Sequence, residues 1–398
     1  MKYLIQFAFI VYLFVVLTGC RDKTKAQSFD QLTDGIRTHF APDSRVDRFE
    51  LRHKSGFDGL FLDGYTTVPA AYDSVMTVLE DGFVIAKNNF RLLPDAAIGN
   101  ERVGIINVSV ANLRSKPGHS RELATQALLG TPIRLLDFQD GWYLVRTPDR
   151  YLAWLEPGAF VRMTPLEAKT WLGDKLRMFG GNTGRLMSDP DGGTIISDLV
   201  FGNLLNYDDD DLAADKMARV RLPDGQTGYI EGSNILPAML NSRSMTTEEL
   251  LAHAEGNMGR PYLWGGTSPK AMDCSGFTKT AFYESGYVIP RDASQQVHAG
   301  TEVELTADFQ NLEPGDLLFF GRYRDDGSEK FTHVGFYTGN GRFLHAGADN
   351  GRIMEQSLRP DDPDFAEHRL KSLLRARRLT PGTPGVVPLG KAFTALMR

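Results

Sequence analysis

The sequence predicts an α+β protein in which two small β-barrels precede a C-terminal domain built of helices first and an antiparallel sheet after them. Three observations lead to this fold class. Short β-type runs recur in an internal repeat, two helical segments follow Thr246, and strand-like apolar runs then continue to about residue 379. The chain has 398 residues, more than one hydrophobic core normally serves, so two to four domains are expected.

The composition narrows the class of protein. Hydrophobic residues make up 42% of the chain and charged residues 24%, which is typical of soluble globular domains. The net charge is −6, and no long block of Lys and Arg is present. Binding to nucleic acid depends on neutralising phosphates, so nucleic acid is excluded as the main partner.

The first twenty residues differ from the rest. Lys2 supplies a positive charge, residues 3–18 are apolar except for Gln6, and Cys20 opens a polar stretch. This order predicts an export signal; an uncleaved membrane helix is the alternative, although the apolar run is slightly short for one. Leu17-Thr-Gly-Cys20 resembles the bacterial lipoprotein processing box. That resemblance implies a signal peptide within residues 1–20, acylation of Cys20, and a lipid anchor in a membrane of the bacterial envelope.

The next segment, residues 21–100, predicts a polar tether and a small α+β unit. Strands are expected at 48–52, 59–66 and 83–93, and a helix at 70–79. No cluster of residues in this unit indicates chemistry.

An internal repeat marks the middle of the chain. Residues 145–156 match residues 220–231 without a gap, 75 positions later. Both copies contain short β-type runs broken by Gly, Pro and Asp, which predicts separate barrels at 103–163 and 176–237 joined by a linker. The segment around Gly141-Trp142 resembles bacterial SH3-like domains, which commonly accompany cell-wall enzymes.

The C-terminal domain is predicted at 246–379. Thr246 and Glu249 form a capping box before a first helix, and a second helix over 273–286 ends at Gly286. Strands are expected at 316–320, 333–338 and 342–345, the last two joined by a Gly-Asn-Gly turn. Residues 380–398 are rich in Pro and Gly and predict a weakly held tail.

Cys274 is the candidate nucleophile. The chain has two cysteines, and an acylated Cys20 would leave Cys274 without a disulfide partner in an exported protein. A small buried hydrophobic residue is the alternative interpretation. Because Cys274 lies at a predicted helix N-terminus, we expect its thiolate to be stabilised and its pKa lowered.

His333 and His345 are the candidate partners of Cys274, and they lie in one predicted hairpin. A three-residue loop at 338–340 would place the two rings directly opposite each other on one face of the sheet. A two-residue loop would place them on opposite faces. In the first register one histidine can act as base while the other orients it, as in a protease triad. A zinc site made of the same three residues is the alternative.

Five blocks of sequence resemble the NlpC/p-sixty family of cell-wall cysteine peptidases in order and spacing; they are residues 260–266, 273–277, 290–295, 312–317 and 333–345. The resemblance covers about 250–379 and implies a papain-like α+β fold. It implies Cys274 as nucleophile, His333 as base and His345 as the residue that orients the base. Tyr262 matches a tyrosine close to the nucleophile. The resemblance implies no metal and no cofactor.

The same resemblance implies a substrate. The family cleaves peptidoglycan stem peptides, often between γ-D-glutamate and the following diamino acid. Members with paired SH3-like domains favour a free N-terminal L-alanine. Asp273 and Ser275 match positions that bind this amine or the peptide beside it, and Glu122 and Tyr151 resemble its contacts in the first barrel, although Tyr151-Leu-Ala-Trp departs from the commoner Tyr-x-Gly-Trp. A wall amidase, an acyltransferase using the same Cys-His pair, and a non-catalytic wall binder are the alternatives.

Overall fold

The computed structural model describes residues 29–80, 83–208, 216–238, 240 and 244–398. Contacts divide the chain between Ala97 and Ile98 into an N-terminal and a C-terminal unit. The predicted signal segment, with Cys20, lies outside the described residues. Among the described helices, none has the length and apolar character that crossing a bilayer requires.

The N-terminal unit packs helices against a three-stranded sheet. Helix α1 covers residues 29–40 of the described chain, and the other elements are β1 (Phe49–Gly56), β2 (Gly59–Thr66), α2 (Pro69–Glu80) and β3 (Ile85–Leu92). β1 and β2 form a hairpin, and β3 runs parallel to β2. Val75 and Leu79 of α2 share a buried core with Leu62 and Phe90 of the sheet. The predicted strands and helix therefore form, and β1 extends four residues beyond its predicted end at residue 52.

Seven strands make up the first barrel: β4 (Val103–Ile106), β5 (Val110–Arg114), β6 (Leu123–Leu128), β7 (Pro132–Gln139), β8 (Trp142–Arg146), β9 (Leu152–Leu155) and β10 (Phe160–Met163). Their order in the sheet is β10-β4-β7-β8-β9-β5-β6. Alternating side chains such as Leu113, Leu135 and Val145 point into one buried core, as the pleat of a strand requires.

The second barrel repeats this topology. Its strands are β11 (Leu176–Phe179), β12 (Thr183–Asp189), β13 (Gly192–Val200), β14 (Leu204–Tyr207), β15 (Met217–Arg221), β16 (Thr227–Glu231) and β17 (Ile235–Pro237). Their order, β13-β12-β16-β15-β14-β11-β17, is that of the first barrel read in reverse. β8 to β10 and β15 to β17 begin 75 positions apart, the spacing of the sequence repeat. The linker between the barrels is helix α3 (Pro165–Trp171), which a capping box at Thr164 begins.

The C-terminal domain packs helices against a six-stranded antiparallel sheet. Its helices are α4 (Thr247–Gly256), α5 (Cys274–Glu284), α6 (Ala293–Gln296) and α7 (Glu367–Ser372). The short pairs are β18 (Thr267–Ser268) with β19 (Ala271–Met272), and β20 (Tyr287–Val288) with a later strand. The main sheet has the order β21-β26-β22-β23-β24-β25, formed by β21 (Thr301–Val303), β22 (Leu317–Tyr323), β23 (Glu329–Gly339), β24 (Arg342–Gly347), β25 (Arg352–Ser357) and β26 (Leu373–Arg378). Phe277 and Phe282 of α5 pack their rings on Phe336 of β23.

The end of the chain is firmly packed, so the prediction of a weakly held tail is wrong. β27 (Val387–Pro388) pairs with β20, and α8 (Leu389–Ala395) follows it. Leu389 and Phe393 are fully buried in a core shared with β4 of the first barrel and β14 of the second. Leu389, Ala392 and Phe393 are spaced as one helical face. The Pro and Gly residues that precede them concealed this pattern in the sequence.

Side-chain contacts join the barrels to the C-terminal domain. Gln126 of β6 and Thr267 of β18 bond each other reciprocally: the Gln126 N–H donates to Thr267 Oγ1 and the Thr267 N–H donates to Gln126 Oε1, both at 3.0 Å. Lys270 bonds Asp198 of the second barrel at 2.6 Å, and Asp198 accepts from Ser109 of the first at 2.8 Å. Both contacts lie within eight residues of Cys274, so the barrels fix the chain that leads to α5.

Candidate active site

Cys274 is the first residue of α5. The preceding Asp273 caps the helix: its carboxylate accepts from the Gly276 N–H at 2.7 Å. The thiol is buried, with 7% of the residue exposed, and the N–H groups of Val334 and Ser275 donate to it. Val334 follows His333 in β23, so the thiol lies against the β23 backbone next to the base candidate.

The thiol is neutral in the ligand-free protein. Burial and the neighbouring Asp273 carboxylate raise the pKa of Cys274 to about 12, although the Val334 and Ser275 N–H groups act in the opposite direction. The expectation of a lowered pKa at the helix N-terminus is therefore wrong: desolvation of the thiolate outweighs the helix end. Any activation of the thiol must come from a base.

His333 and His345 meet on one face of the sheet, at 2.8 Å between Nε2 of His333 and Nδ1 of His345. The loop is not the expected three-residue loop. Asn340 and Gly341, both with positive φ, form a two-residue turn between Gly339 and Arg342, as a tight hairpin requires. A bulge at Thr338 shifts the register by one residue. The bulge restores a common face and sets the two rings diagonally rather than directly opposite.

A further side chain extends this pair. His345 Nε2 lies 2.8 Å from Oε1 of Gln356, an oxygen that also accepts from Asn350 Nδ2 at 3.2 Å. An amide oxygen only accepts, so His345 donates from Nε2 and its Nδ1 accepts from His333 Nε2. The remaining nitrogen, Nδ1 of His333, carries no proton and can take one.

Both histidines are neutral at pH 7. Burial, followed by the Arg369 cation, lowers the pKa of His345 to about 4. Burial and Arg369 also hold the pKa of His333 well below its usual 6.5. A neutral imidazole with a defined tautomer is the form that can act as a general base.

Tyr262 lies beside the thiol. It forms a β-bridge with Met272, two residues before Cys274. Burial, followed by the nearby Cys274 and Asp273, raises the pKa of Tyr262 above its usual 10. Its hydroxyl therefore stays protonated and can donate a hydrogen bond at the site.

Asp273 and Ser275 are held by a buried cation. Arg291 donates to both oxygens of Asp273, at 3.0 and 2.6 Å, and to Ser275 Oγ at 2.9 Å. The Gly265 N–H also donates to Asp273, at 2.9 Å. Asp273 therefore carries a full set of hydrogen bonds and a compensated charge, which distinguishes it from an open receptor for an ammonium group.

The first barrel reaches the site through Glu122. Its carboxylate accepts from Nε1 of Trp264 at 2.7 Å, in the loop that follows Tyr262. Tyr151 of the same barrel is buried. Burial alone would lower the pKa of Arg291, but Asp273, and after it Asp292 and Tyr151, raise it above its usual value. Tyr151 therefore lies near Arg291, and both barrel residues face the predicted site.

Sequence reasoning missed Gln356 and the role of Arg291. Gln356 is placed by the register of β24 with β25, in which Phe343 pairs with Gln356 and His345 with Met354; no local motif signals it. Arg291 stands in a block that resembles the family, but its pairing with Asp273 requires the fold. In the described part of the chain, no group of three or more His, Cys, Asp or Glu side chains is arranged to hold a metal ion.

Comparison with known proteins agrees with this geometry. Residues 259–366 match the NlpC/P60 family, and residues 113–159 match the bacterial dipeptidyl-peptidase Sh3 domain. A protein of Lysinibacillus sphaericus named dipeptidyl-peptidase 6 is 28% identical over 270 residues, which are 66% of this chain and 94% of that protein. A gamma-D-glutamyl-L-lysine dipeptidyl-peptidase of Bacillus subtilis is 38% identical over 118 residues, 30% of this chain and 37% of that protein.

The fold also has a solved counterpart. The crystal structure of an NlpC/P60 family protein from Bacillus cereus superposes with a TM-score of 0.58 at 24% identity, covering 70% of this chain and all of that one. A cysteine at the N-terminus of α5, together with a histidine pair on the antiparallel sheet, is the arrangement of a papain-like cysteine peptidase. The C-terminal domain contains the match to the NlpC/P60 family, and the first barrel contains the match to the bacterial Sh3 domain.

The neutral thiol predicts slow alkylation. Iodoacetamide reacts with thiolate, so at pH 7.5 Cys274 in a Cys20→Ser chain should react at least about 100-fold more slowly than free cysteine. Because burial raises the pKa of Cys274 to about 12, the rate should still rise at pH 10. The Cys20→Ser, Cys274→Ala chain gives the background. A rate that is already constant below pH 7 would indicate a preformed thiolate and contradict the neutral pair.

Proposed function

We propose that this protein is a cysteine endopeptidase that hydrolyses the bond between γ-D-glutamate and the following diamino acid in peptidoglycan stem peptides. The observation that carries the proposal is the hydrogen-bonded chain from Gln356 through His345 to His333, the residue that precedes Val334, whose N–H donates to Cys274. The relatives named gamma-D-glutamyl-L-lysine dipeptidyl-peptidase supply the substrate class.

Because the Cys274 thiol and the His333 ring are both neutral at the start, the reaction begins with a proton transfer between them. Nδ1 of His333 takes the thiol proton as Sγ of Cys274 attacks the γ-glutamyl carbonyl, and His345 steadies the imidazolium by accepting from its Nε2. The imidazolium then gives this proton to the departing amine, leaving a thioester. Water, deprotonated by the same histidine, releases the acyl group and restores the thiol.

Two kinds of donor are suited to the oxyanion of the tetrahedral intermediate. Backbone N–H groups at the start of α5 lie next to Sγ, and the Tyr262 hydroxyl remains protonated because its pKa is raised. Fixed donors in a buried site stabilise developing negative charge more than water does. In this proposal the Tyr262 hydroxyl therefore donates a hydrogen bond to the oxygen of the substrate carbonyl.

We assign the preference for a free N-terminal L-alanine to the first barrel. The Glu122 carboxylate has Trp264 as its one hydrogen-bond partner within the described chain, so its second oxygen can accept from an ammonium group. Asp273 and Ser275, already bonded to Arg291, form the wall of this subsite, and Tyr151 lies beside them. Glu122 then supplies the uncompensated negative charge that an amine requires.

Peptide cleavage tests both parts of the proposal. The wild-type chain should release L-Ala-D-Glu from L-Ala-γ-D-Glu-diaminopimelate and spare the N-acetylmuramyl form, whereas Cys274→Ala should release nothing. Glu122→Gln should raise KM for the free peptide about 10- to 100-fold, the loss of one charge-assisted hydrogen bond. Products are identified by mass spectrometry.

Glu101→Gln, which changes an exposed carboxylate of the same barrel, is the matched control and should leave KM unchanged. Cleavage of both peptides at equal rates would refute the amine subsite but leave the peptidase. Release of a different fragment would favour an amidase or an acyltransferase, and binding without any product would favour a non-catalytic wall binder.

We also propose that the protein is exported and held at a membrane of the envelope by a lipid on Cys20. The order of charge, apolar run and Gly-Cys in residues 1–20 supports this, and a cell-wall substrate agrees with it. Mass spectrometry of protein extracted from membranes should find acylated Cys20 at the N-terminus. A chain that begins with an intact Met1 would refute the lipid anchor.

A further inference from the structure

Arg369 of α7 lies at the rim of the candidate site. Its guanidinium is 5.9 Å from the ring centre of Phe320, and the Phe320 and His333 ring centres are 5.6 Å apart. Nη2 of Arg369 donates to both oxygens of Asp349, at 3.0 and 3.1 Å. The Arg369 guanidinium is thus held in place, and Phe320 is a neighbour of both this cation and the candidate base His333.

The turn that carries Asp349 connects Arg369 with the thiol side of the site. This turn joins β24 to β25, and its last residue, Gly351, accepts from the Tyr262 N–H at 2.9 Å. The charge of Arg369 acts on His333, His345 and Tyr262. Arg369 therefore lies close enough to both histidines and to Tyr262 for its charge to act at the candidate site.

The hydrogen bonds of Arg369 are incomplete. Asp349 is the only hydrogen-bond partner of its guanidinium among the described residues, and Asp349 is also shared with Nε2 of His368 at 3.0 Å. Nε of Arg369 is buried without a partner. Nη1 forms no hydrogen bond within the described chain and is not among its buried unpartnered atoms, so it reaches solvent. A largely buried guanidinium with an open nitrogen is suited to a further anion.

We propose that Arg369 binds a carboxylate of the substrate through Nη1, and this inference rests on the proposed function. A γ-linked glutamate retains its α-carboxylate, and the following diamino acid carries a carboxylate on the other side of the scissile bond. Either group would lie within a few bonds of the carbonyl that Cys274 attacks. A charge-assisted hydrogen bond to it would fix the peptide in register with the thiol.

Binding to a Cys274→Ala full chain tests the inference separately from cleavage. Calorimetry at pH 8, where both histidines are neutral, compares three forms of L-Ala-γ-D-Glu-diaminopimelate: the free acid, the form amidated at the D-Glu α-carboxylate, and the form amidated at the diaminopimelate carboxylate next to the scissile amide. One amidation should weaken binding about 10- to 100-fold, and it identifies the carboxylate that Arg369 contacts.

Adding Arg369→Gln should weaken binding of the free acid to the same degree. It should have no further effect on binding of the amidated peptide that has already lost the contact. Arg375→Gln, at an exposed arginine of β26 that pairs with Glu302 and Glu329, is the control and should bind like the parent. Arg369→Lys should retain part of the affinity, since it keeps the charge.

Equal binding of all three peptides, or no binding of any, would overturn the inference even if Arg369→Gln failed to fold. A loss with Arg369→Gln that is the same for every peptide would also overturn it, because Arg369 would then act by positioning His333. Failure of the proposed function appears differently, as absence of cleavage by the wild-type chain when the free acid binds and one of the two amides binds more weakly.

Discussion

The buried carboxylate of Asp273 is the interaction on which the site depends. It caps α5, accepts from the Gly265 N–H and is paired with Arg291. These bonds fix three segments, the loop after Tyr262, the start of the helix and the block around Arg291, around one sulfur atom. Breaking a buried pair of this kind by removing one partner typically costs about 3–5 kcal/mol, which explains why the cation and the helix cap act as one structural element.

Burial then determines the chemistry. The same low-polarity surroundings that raise the pKa of Cys274 lower the pKa of His333 and His345. The protein therefore stores no thiolate–imidazolium pair and holds a neutral thiol beside a base whose tautomer Gln356 fixes. Charge develops only when substrate is bound, where Tyr262 and the backbone donors can stabilise it. A reactive thiolate is thus avoided in a protein for which an oxidising compartment is proposed.

Much of this could be predicted from the sequence, because the informative patterns are local. The 75-residue spacing predicted the two barrels, and the capping box at Thr246 predicted the start of α4. The features that could not be predicted depend on packing or register. They are the bulge at Thr338, the partner Gln356 on a neighbouring strand, and the pKa of the thiol, which burial decides. The helix after Pro388 was concealed by composition, since its apolar face becomes evident only against the two barrels that cover it.

The protonation state of the histidine pair decides whether His333 is a neutral base. Nitrogen NMR of the chain labelled with ¹⁵N-histidine, assigned with His333→Asn and His345→Asn variants, reports which ring nitrogen of each carries a proton. We predict neutral rings at pH 7, with the proton on Nε2 in both His333 and His345 and no proton on either Nδ1. An imidazolium at His333 at pH 7, or a proton on its Nδ1 in a neutral ring, would contradict a neutral base poised to activate Cys274.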